Sequence, residues 1–169
     1  MINLNYFRYI NFDKSAIEGS VALKMKVIED TDHVDLDTWS LKIDKVVLEQ
    51  EGDSKELQFK IDEETEIGNK MTIDLTQTLT KDTEFCLKID YETDPSAKSL
   101  SWLTPEQTME KTHPYLFSNS EPIYGRCIFP CQDTPSVKAP YTAKAKIKDP
   151  MTVLLSADIV KQETIDGFV

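Results

Sequence analysis

The sequence predicts an all-β fold, a large twisted sheet or sandwich of mostly antiparallel strands with at most one or two short helical turns. Apolar residues recur at every second position in several short stretches, which is the period of a half-buried strand. Gly, Asn, Asp and Pro separate these stretches. Because no stretch has the apolar spacing of a long amphipathic helix, the sequence favours one β domain.

The first half of the chain is predicted to form a series of strands, because apolar and polar residues alternate in it. Strands are expected at residues 4–12, 21–27, 57–61, 71–75 and 85–91. Another begins at Val34 and leads into the β-branched run Val46–Leu48. The first two strands are expected to pair antiparallel. In the strand at 85–91, Cys86 lies on the face opposite to the alternating apolar residues.

The middle of the chain is broken by Pro. Thr104–Gln107 has the signature of a helix start, and His113–Pro114 is expected to end that short helix. Tyr115–Phe117 is apolar and is expected to enter a core or a domain interface, as is Trp102. Arg126–Phe129 predicts a short buried strand.

A tight polar turn is expected at Pro130–Pro135, braced by Arg126 and Asp133. Beyond it, alternating Ala and Lys at residues 143–148 predict a strand with one solvated face. Met151–Ser156 predicts a last apolar strand. The polar tail, Lys161–Val169, is expected to add no closing strand.

The overall charge excludes some partners. The formal net charge is −11, which disfavours nucleic acid and anionic membrane surfaces. No apolar run approaches the roughly 20 residues that span a bilayer, and the N-terminus lacks a secretory signal. An odd number of cysteines, three, indicates reduced thiols and a cytoplasmic location.

Catalytic motifs are missing from the chain. Its two histidines, His33 and His113, are far apart, and neither is followed by Glu as in a zinc-binding His-Glu-x-x-His helix. Cys127 and Cys131 have the spacing of half a zinc site, but no second pair completes it, so buried structural thiols are favoured. We therefore expect no catalytic residue, metal ligand or cofactor within the chain, which alone should be inactive.

Three stretches, taken in order, carry a family resemblance: SWLTPEQT at 101–108, HPYLFS at 113–118 and PCQDTPSVK at 130–138. In them the chain resembles the leukotriene A(4) hydrolase-like branch of the gluzincin zinc aminopeptidases. The resemblance implies that residues 1–169 are the saddle-like, non-catalytic N-terminal β domain, stopping before its last strands. It also implies a catalytic zinc domain of the same polypeptide as partner, holding the zinc.

The resemblance also points to one loop. In these aminopeptidases a Gln-x-Glu or Gln-x-Gln element of the β domain helps to bind the free α-amine of the peptide substrate. Asn119-Ser120-Glu121 matches that element, so Glu121 takes the amine-binding position. Asn119 and Pro122 depart from the usual Gln and small residue. The leukotriene hydrolases have Gln where Glu121 stands, which favours peptidase over epoxide hydrolase activity.

Other interpretations stay open. Glu121 is otherwise an ordinary acid of a surface loop. The domain as a whole is otherwise a non-enzymatic β-sandwich interaction module or a catalytically dead relative. An open sheet edge would also allow self-association with a second copy.

Overall fold

Eleven β-strands in three sheets make up the structure, a computed structural model that describes all residues from 1 to 169. The strands are β1 (Asn3–Asn11), β2 (Ala16–Lys26), β3 (Thr31–Thr38), β4 (Leu41–Gln50), β5 (Asp53–Glu56), β6 (Phe59–Ile61), β7 (Asn69–Leu79), β8 (Glu84–Thr93), β9 (Leu100–Leu103), β10 (Tyr115–Ser118) and β11 (Tyr141–Lys146). Two 3-10 helices, Pro105–Gln107 and Gly125–Cys127, are the only helical segments. The all-β prediction is confirmed.

The largest sheet has six strands in the order β11-β1-β2-β8-β4-β5. Every pair in it is antiparallel except β1 and β11, which run parallel. The predicted antiparallel pairing of the first two strands is therefore confirmed. A second sheet has the order β3-β7-β6, and β9 pairs with β10 in a third.

One apolar core joins the six-stranded and three-stranded sheets. Strands β2, β7 and β8 contribute alternate side chains to it, because successive residues of a strand point to opposite faces. Fully buried members include Leu23, Ile73, Leu75, Leu87 and Ile89. Burying one such side chain contributes about 1.5–3 kcal/mol, so these period-two runs account for the sandwich.

A smaller core supports the segment that follows β10. Its buried members are Ile17, Trp39, Ala97, Leu100, Cys127 and Ile128. The ring of Trp39 lies 5.7 Å from that of Tyr124, and the Lys98 ammonium lies 3.7 Å above the Trp39 ring. Trp102 packs on this core and meets Phe12 edge to face, as expected for an aromatic anchor.

The predicted helix near Thr104 is correct in its start and wrong in its length. The Gln107 side chain accepts a hydrogen bond from the Thr104 backbone N–H at 2.9 Å. Only Pro105–Gln107 is helical, because Thr108 already has extended dihedral angles and its hydroxyl bonds back to the Pro105 carbonyl.

Two predicted strands are absent. The first half of Arg126–Phe129 lies in the second 3-10 helix, and the Ile128 N–H donates to the Gly125 carbonyl at its end. Met151–Ser156 forms no strand, since its backbone pairs with no neighbouring strand and Leu154 is 79% exposed. The apolar character of these two segments was therefore not sufficient to predict a strand.

Three smaller segments can also be compared with the expectations. His33 lies in β3 and is exposed there. Tyr115 and Phe117 are 56% and 46% exposed, so the core interpretation is wrong for these two side chains, whereas Leu116 packs against the smaller core. The tail adds no strand, as expected, although the Ile147 and Val169 backbones exchange two hydrogen bonds at its end.

Candidate functional site

The Glu121 loop, residues 119–124, leaves β10 at the surface. Asn119, Ser120, Glu121 and Pro122 are all exposed. The Glu121 carboxylate has no hydrogen-bond or ion-pair partner within the chain, while its backbone N–H is bonded. The loop therefore presents a free negative charge to the outside of the domain.

Hydrogen bonds hold the backbone of the Glu121 loop in place. The Asn119 N–H donates to the Ser99 carbonyl at 2.9 Å, and the Tyr124 N–H donates to the Ser120 carbonyl at 2.9 Å. Between them, the Asn119 side-chain oxygen accepts from the Glu121 N–H at 3.2 Å. Such an Asx turn is a local alternative to regular secondary structure.

Asn119 thus shapes the loop through its side-chain oxygen, and its amide group remains available to an outside acceptor. Pro122 is exposed and follows Glu121 through a cis peptide bond. It offers no N–H donor at this point of the surface. The structure brings Asn119, Glu121 and Pro122, the three residues predicted as substrate contacts, together on one exposed turn.

The short helix after the loop is anchored by Arg126, which is buried. Its Nε donates to Asp133 Oδ2 at 2.9 Å, and its Nη2 donates to the Asp133 carbonyl at 3.2 Å. The Arg126 backbone N–H donates to the same carboxylate at 3.1 Å. The expectation that Arg126 and Asp133 brace this turn is confirmed.

Sequence reasoning missed two further partners of Arg126. Nη1 donates to the Ile67 carbonyl at 2.8 Å and lies 3.2 Å from Asp37 Oδ1 of β3. The signal in the sequence was an acidic residue placed directly after the buried Leu36 in a strand. Without the fold, nothing connected Asp37 with a segment about ninety residues away.

Cys127 and Cys131 are buried and free, as predicted. Burial, together with the negative charges of Asp133 and Asp37, raises the pKa of the Cys131 thiol far above its ordinary range. Burial also raises the pKa of the Cys127 thiol. Both therefore stay protonated at neutral pH and serve as packing groups, since the thiolate is the reactive form.

The remaining candidate ligands do not converge. The His33 ring hydrogen-bonds only to Asp32, at 2.8 Å, and the His113 ring hydrogen-bonds only to Thr112, at 3.0 Å, both at the surface. The Asp32 carboxylate raises the pKa of His33. No group of three or more His, Cys, Asp or Glu side chains is arranged to hold a metal ion.

An exposed apolar surface adjoins the loop in sequence. Met109 is fully exposed, and Tyr115 and Phe117 project from β10 just before the loop. A shallow groove of about 380 Å³ is lined by residues of 103–115 and does not include Glu121. No helix of the structure has the length and apolar character needed to cross a membrane.

The sequence matches a known family and its members along nearly its whole length. The profile of the family described as Peptidase M1 N-terminal domain matches residues 4–167. Leucine aminopeptidase 2 of Lodderomyces elongisporus is 37% identical over 161 residues, which are 95% of this chain. Leukotriene A-4 hydrolase of Xenopus laevis is 35% identical over 151 residues, or 88% of this chain.

Solved structures agree with these relatives. The native yeast LTA4 hydrolase matches with a TM-score of 0.82 and 32% identity over 99% of this chain. An M1 zinc metallopeptidase of Deinococcus radiodurans matches with a TM-score of 0.75 at 16% identity, which shows the shared fold. This chain spans 24% of the two curated relatives and 25% of the yeast structure. The chain belongs to the Peptidase M1 N-terminal domain family.

Proposed function

We propose that this chain is the non-catalytic β domain of a zinc aminopeptidase, and that Glu121 binds the free α-amine of the peptide substrate. One observation carries the proposal. Glu121 presents an exposed carboxylate without a partner in the chain, on a turn whose backbone is held by Asn119. Such a group is free to pair with an outside cation.

The chemistry of the pair suits an aminopeptidase. A carboxylate and an ammonium form a charge-assisted hydrogen bond, which is shorter and stronger than a neutral one. Fixing the amino terminus of the substrate sets which peptide bond reaches the catalytic group. Glu121 would thereby select the first residue of the peptide for removal.

Zinc does not fit the residues of this chain, because no set of side chains converges as a metal site. We assign it to the catalytic domain of the same polypeptide, the partner that the matches to longer M1 peptidases support. This chain contributes the shape and charge of the cleft. By itself it should hydrolyse neither peptides nor an epoxide.

Asn119 and Pro122 determine the hydrogen-bonding groups of the same loop. The Asn119 side-chain oxygen accepts from the Glu121 N–H, and Pro122 has no backbone N–H to donate to a substrate. The missing donor is the observation that favours the second function, a binding module without catalysis. In that case the full-length protein would bind free-amine peptides without cleaving them.

We also propose a cytoplasmic location, because Cys86, Cys127 and Cys131 are all free thiols. Self-association is proposed through β11, which pairs with β1 on one side and lies at the edge of its sheet.

The test of the proposed function is the Glu121→Gln variant of the full-length enzyme. Removing the charge from the pair should cost about 1.5–3 kcal/mol, so kcat/KM for free-amine peptides should fall by about ten- to a hundred-fold. Glu110→Gln is the matched control, since Glu110 is also exposed and unpaired. Equal kinetics in the two variants would remove Glu121 from the site.

A further inference from the structure

Arg126 connects three separate segments of the chain. Its guanidinium contacts Asp133 after the short helix, the Ile67 carbonyl in the turn before β7, and Asp37 of β3. Its side chain is only 8% exposed. We call Asp37, Arg126 and Asp133 the Arg126 cluster.

Asp37 is the member that ties this cluster to the main sandwich. Oδ1 of Asp37 faces Arg126 Nη1 at 3.2 Å, and Oδ2 accepts from the Asp133 N–H at 2.9 Å. Its backbone also exchanges two hydrogen bonds with Cys131. One side chain therefore holds both ends of the 126–133 turn against β3.

The cluster lies close to the Glu121 loop along the chain. Arg126 is five residues from Glu121, a span of at most about 18 Å even when fully extended. The Tyr124 N–H donates to the Ser120 carbonyl at 2.9 Å, and the Cys127 N–H donates to the Tyr124 carbonyl at 3.1 Å. Because these bonds connect the loop to the short helix that contains Arg126, movement of the Arg126 backbone would be transmitted to the loop.

We propose that Asp37 is a positioning residue for Glu121, acting through Arg126 and the 126–133 turn. The inference rests on the proposed function of Glu121 as the amine-binding group. Asp37 does not touch the substrate. It fixes the direction in which the Glu121 carboxylate leaves the domain.

The arrangement of charges makes Asp37 a suitable residue to test. Arg126 remains paired with Asp133 when Asp37 loses its charge, so the buried guanidinium keeps a counterion. Asp37→Asn preserves the shape of the side chain but leaves one oxygen for two donors. The turn should loosen while the domain stays folded.

Asp35→Asn is the matched control on the same strand. Asp35 bonds Thr72 and lies 3.5 Å from Lys70, and it has no contact with the Glu121 loop or the Arg126 cluster. Both variants lose one carboxylate from β3. They differ in whether that carboxylate holds the 126–133 turn.

The experiment measures kcat/KM for a free-amine peptide in the full-length enzyme, for Asp37→Asn, Asp35→Asn, Glu121→Gln and the double variant Asp37→Asn/Glu121→Gln. A displaced anchoring group should lower kcat/KM by about ten-fold in Asp37→Asn and leave Asp35→Asn near the parent value. In the double variant, the loss should be no greater than in Glu121→Gln alone. That non-additivity is expected when one residue acts through the other.

The outcomes separate the two proposals. If Glu121→Gln lowers kcat/KM but Asp37→Asn behaves like Asp35→Asn, the positioning role is wrong and the amine-binding role stands. If the two losses simply add, Asp37 acts on folding or elsewhere, and the inference is again wrong. If Glu121→Gln has no effect, both proposals fail together.

Arg126→Lys is a second variant should Asp37→Asn unfold at the assay temperature. It retains the positive charge but loses the planar fork that contacts Asp37, Asp133 and Ile67 at once. The same non-additivity with Glu121→Gln is expected. An additive loss would contradict the proposed coupling.

Discussion

Cys131 illustrates how burial fixes the chemistry of a single side chain. Its thiol lies within the 126–133 turn, where burial and the carboxylates of Asp133 and Asp37 raise its pKa well above the ordinary value of 9.0. The unfolded chain would release the thiol proton first as the pH rises. The contribution of Cys131 to stability is therefore fully present below about pH 9 and is lost above it.

The free energy of unfolding should fall by about 1.4 kcal/mol per pH unit above pH 9 on account of this thiol. Urea unfolding of the wild-type chain and of Cys131→Ala, each at about pH 8 and pH 10, measures the contribution. Other groups titrate equally in both proteins, so the difference isolates Cys131. An identical pH dependence in the two would show that the thiol ionises freely when folded.

Residues of the candidate site could be predicted only in part. Asn119, Glu121 and Pro122 were predicted through a resemblance, and all three are exposed. The bond from Asn119 to the Glu121 backbone and the reach of Asp37 to Arg126 could not be predicted. Both depend on loop geometry and on contacts between segments distant in sequence.

At the scale of elements, the turn before β7, which contains Ile67 and Gly68, contacts the Arg126 cluster. Gly68 has a φ of +94° there, and a Cβ would lie 2.7 Å from the Thr38 carbonyl oxygen. The turn also offers the Ile67 carbonyl to Arg126. Only Gly fits this position without strain.

Gly68→Ala should therefore destabilise the domain by about 3 kcal/mol, because left-handed strain and a backbone clash act together. Gly52 has the same φ of +94° but nothing within 4 Å of its Cβ position. Gly52→Ala should cost only the strain, about 1 kcal/mol. Urea unfolding of both variants checks the difference, and equal losses would contradict the packing of Gly68 on Thr38.

Strands were predictable where one face is buried over several consecutive alternating positions. In β2, β7 and β8 the alternation of apolar residues coincides with alternation of burial. The apolar run Met151–Ser156 was wrongly predicted as a strand, because an apolar run does not specify a neighbour with which to pair. The strand predicted at Arg126–Phe129 is absent because Arg126 contacts Asp133 and Asp37 from a 3-10 helix.

At the scale of the whole molecule, the two edges of the large sheet differ in charge. Strand β11 has one exposed face with two bases, Lys144 and Lys146, whereas β5 exposes two acids, Asp53 and Glu56, and one base, Lys55. Lysines on an edge discourage pairing between two copies of β11. Pairing of β11 with β5 of a second copy would instead bring opposite charges together.

We therefore expect weak, concentration-dependent association of this chain in sedimentation experiments, and less association at high salt. Lys144→Glu should reduce it. Lys88→Glu should not, since Lys88 lies on β8 in the middle of the same sheet. A strictly monomeric profile at high concentration would contradict association through the edge.

The central claim is that the Glu121 carboxylate of this domain binds the α-amine of the peptide. A measurement of peptide affinity at equilibrium tests this claim most directly. The measurement compares the affinity of the full-length enzyme for a non-cleavable peptide and for its desamino analogue. The parent and Glu110→Gln should prefer the free amine by about ten-fold or more. Glu121→Gln should lose most of that preference, whereas an undiminished preference in Glu121→Gln would contradict the account.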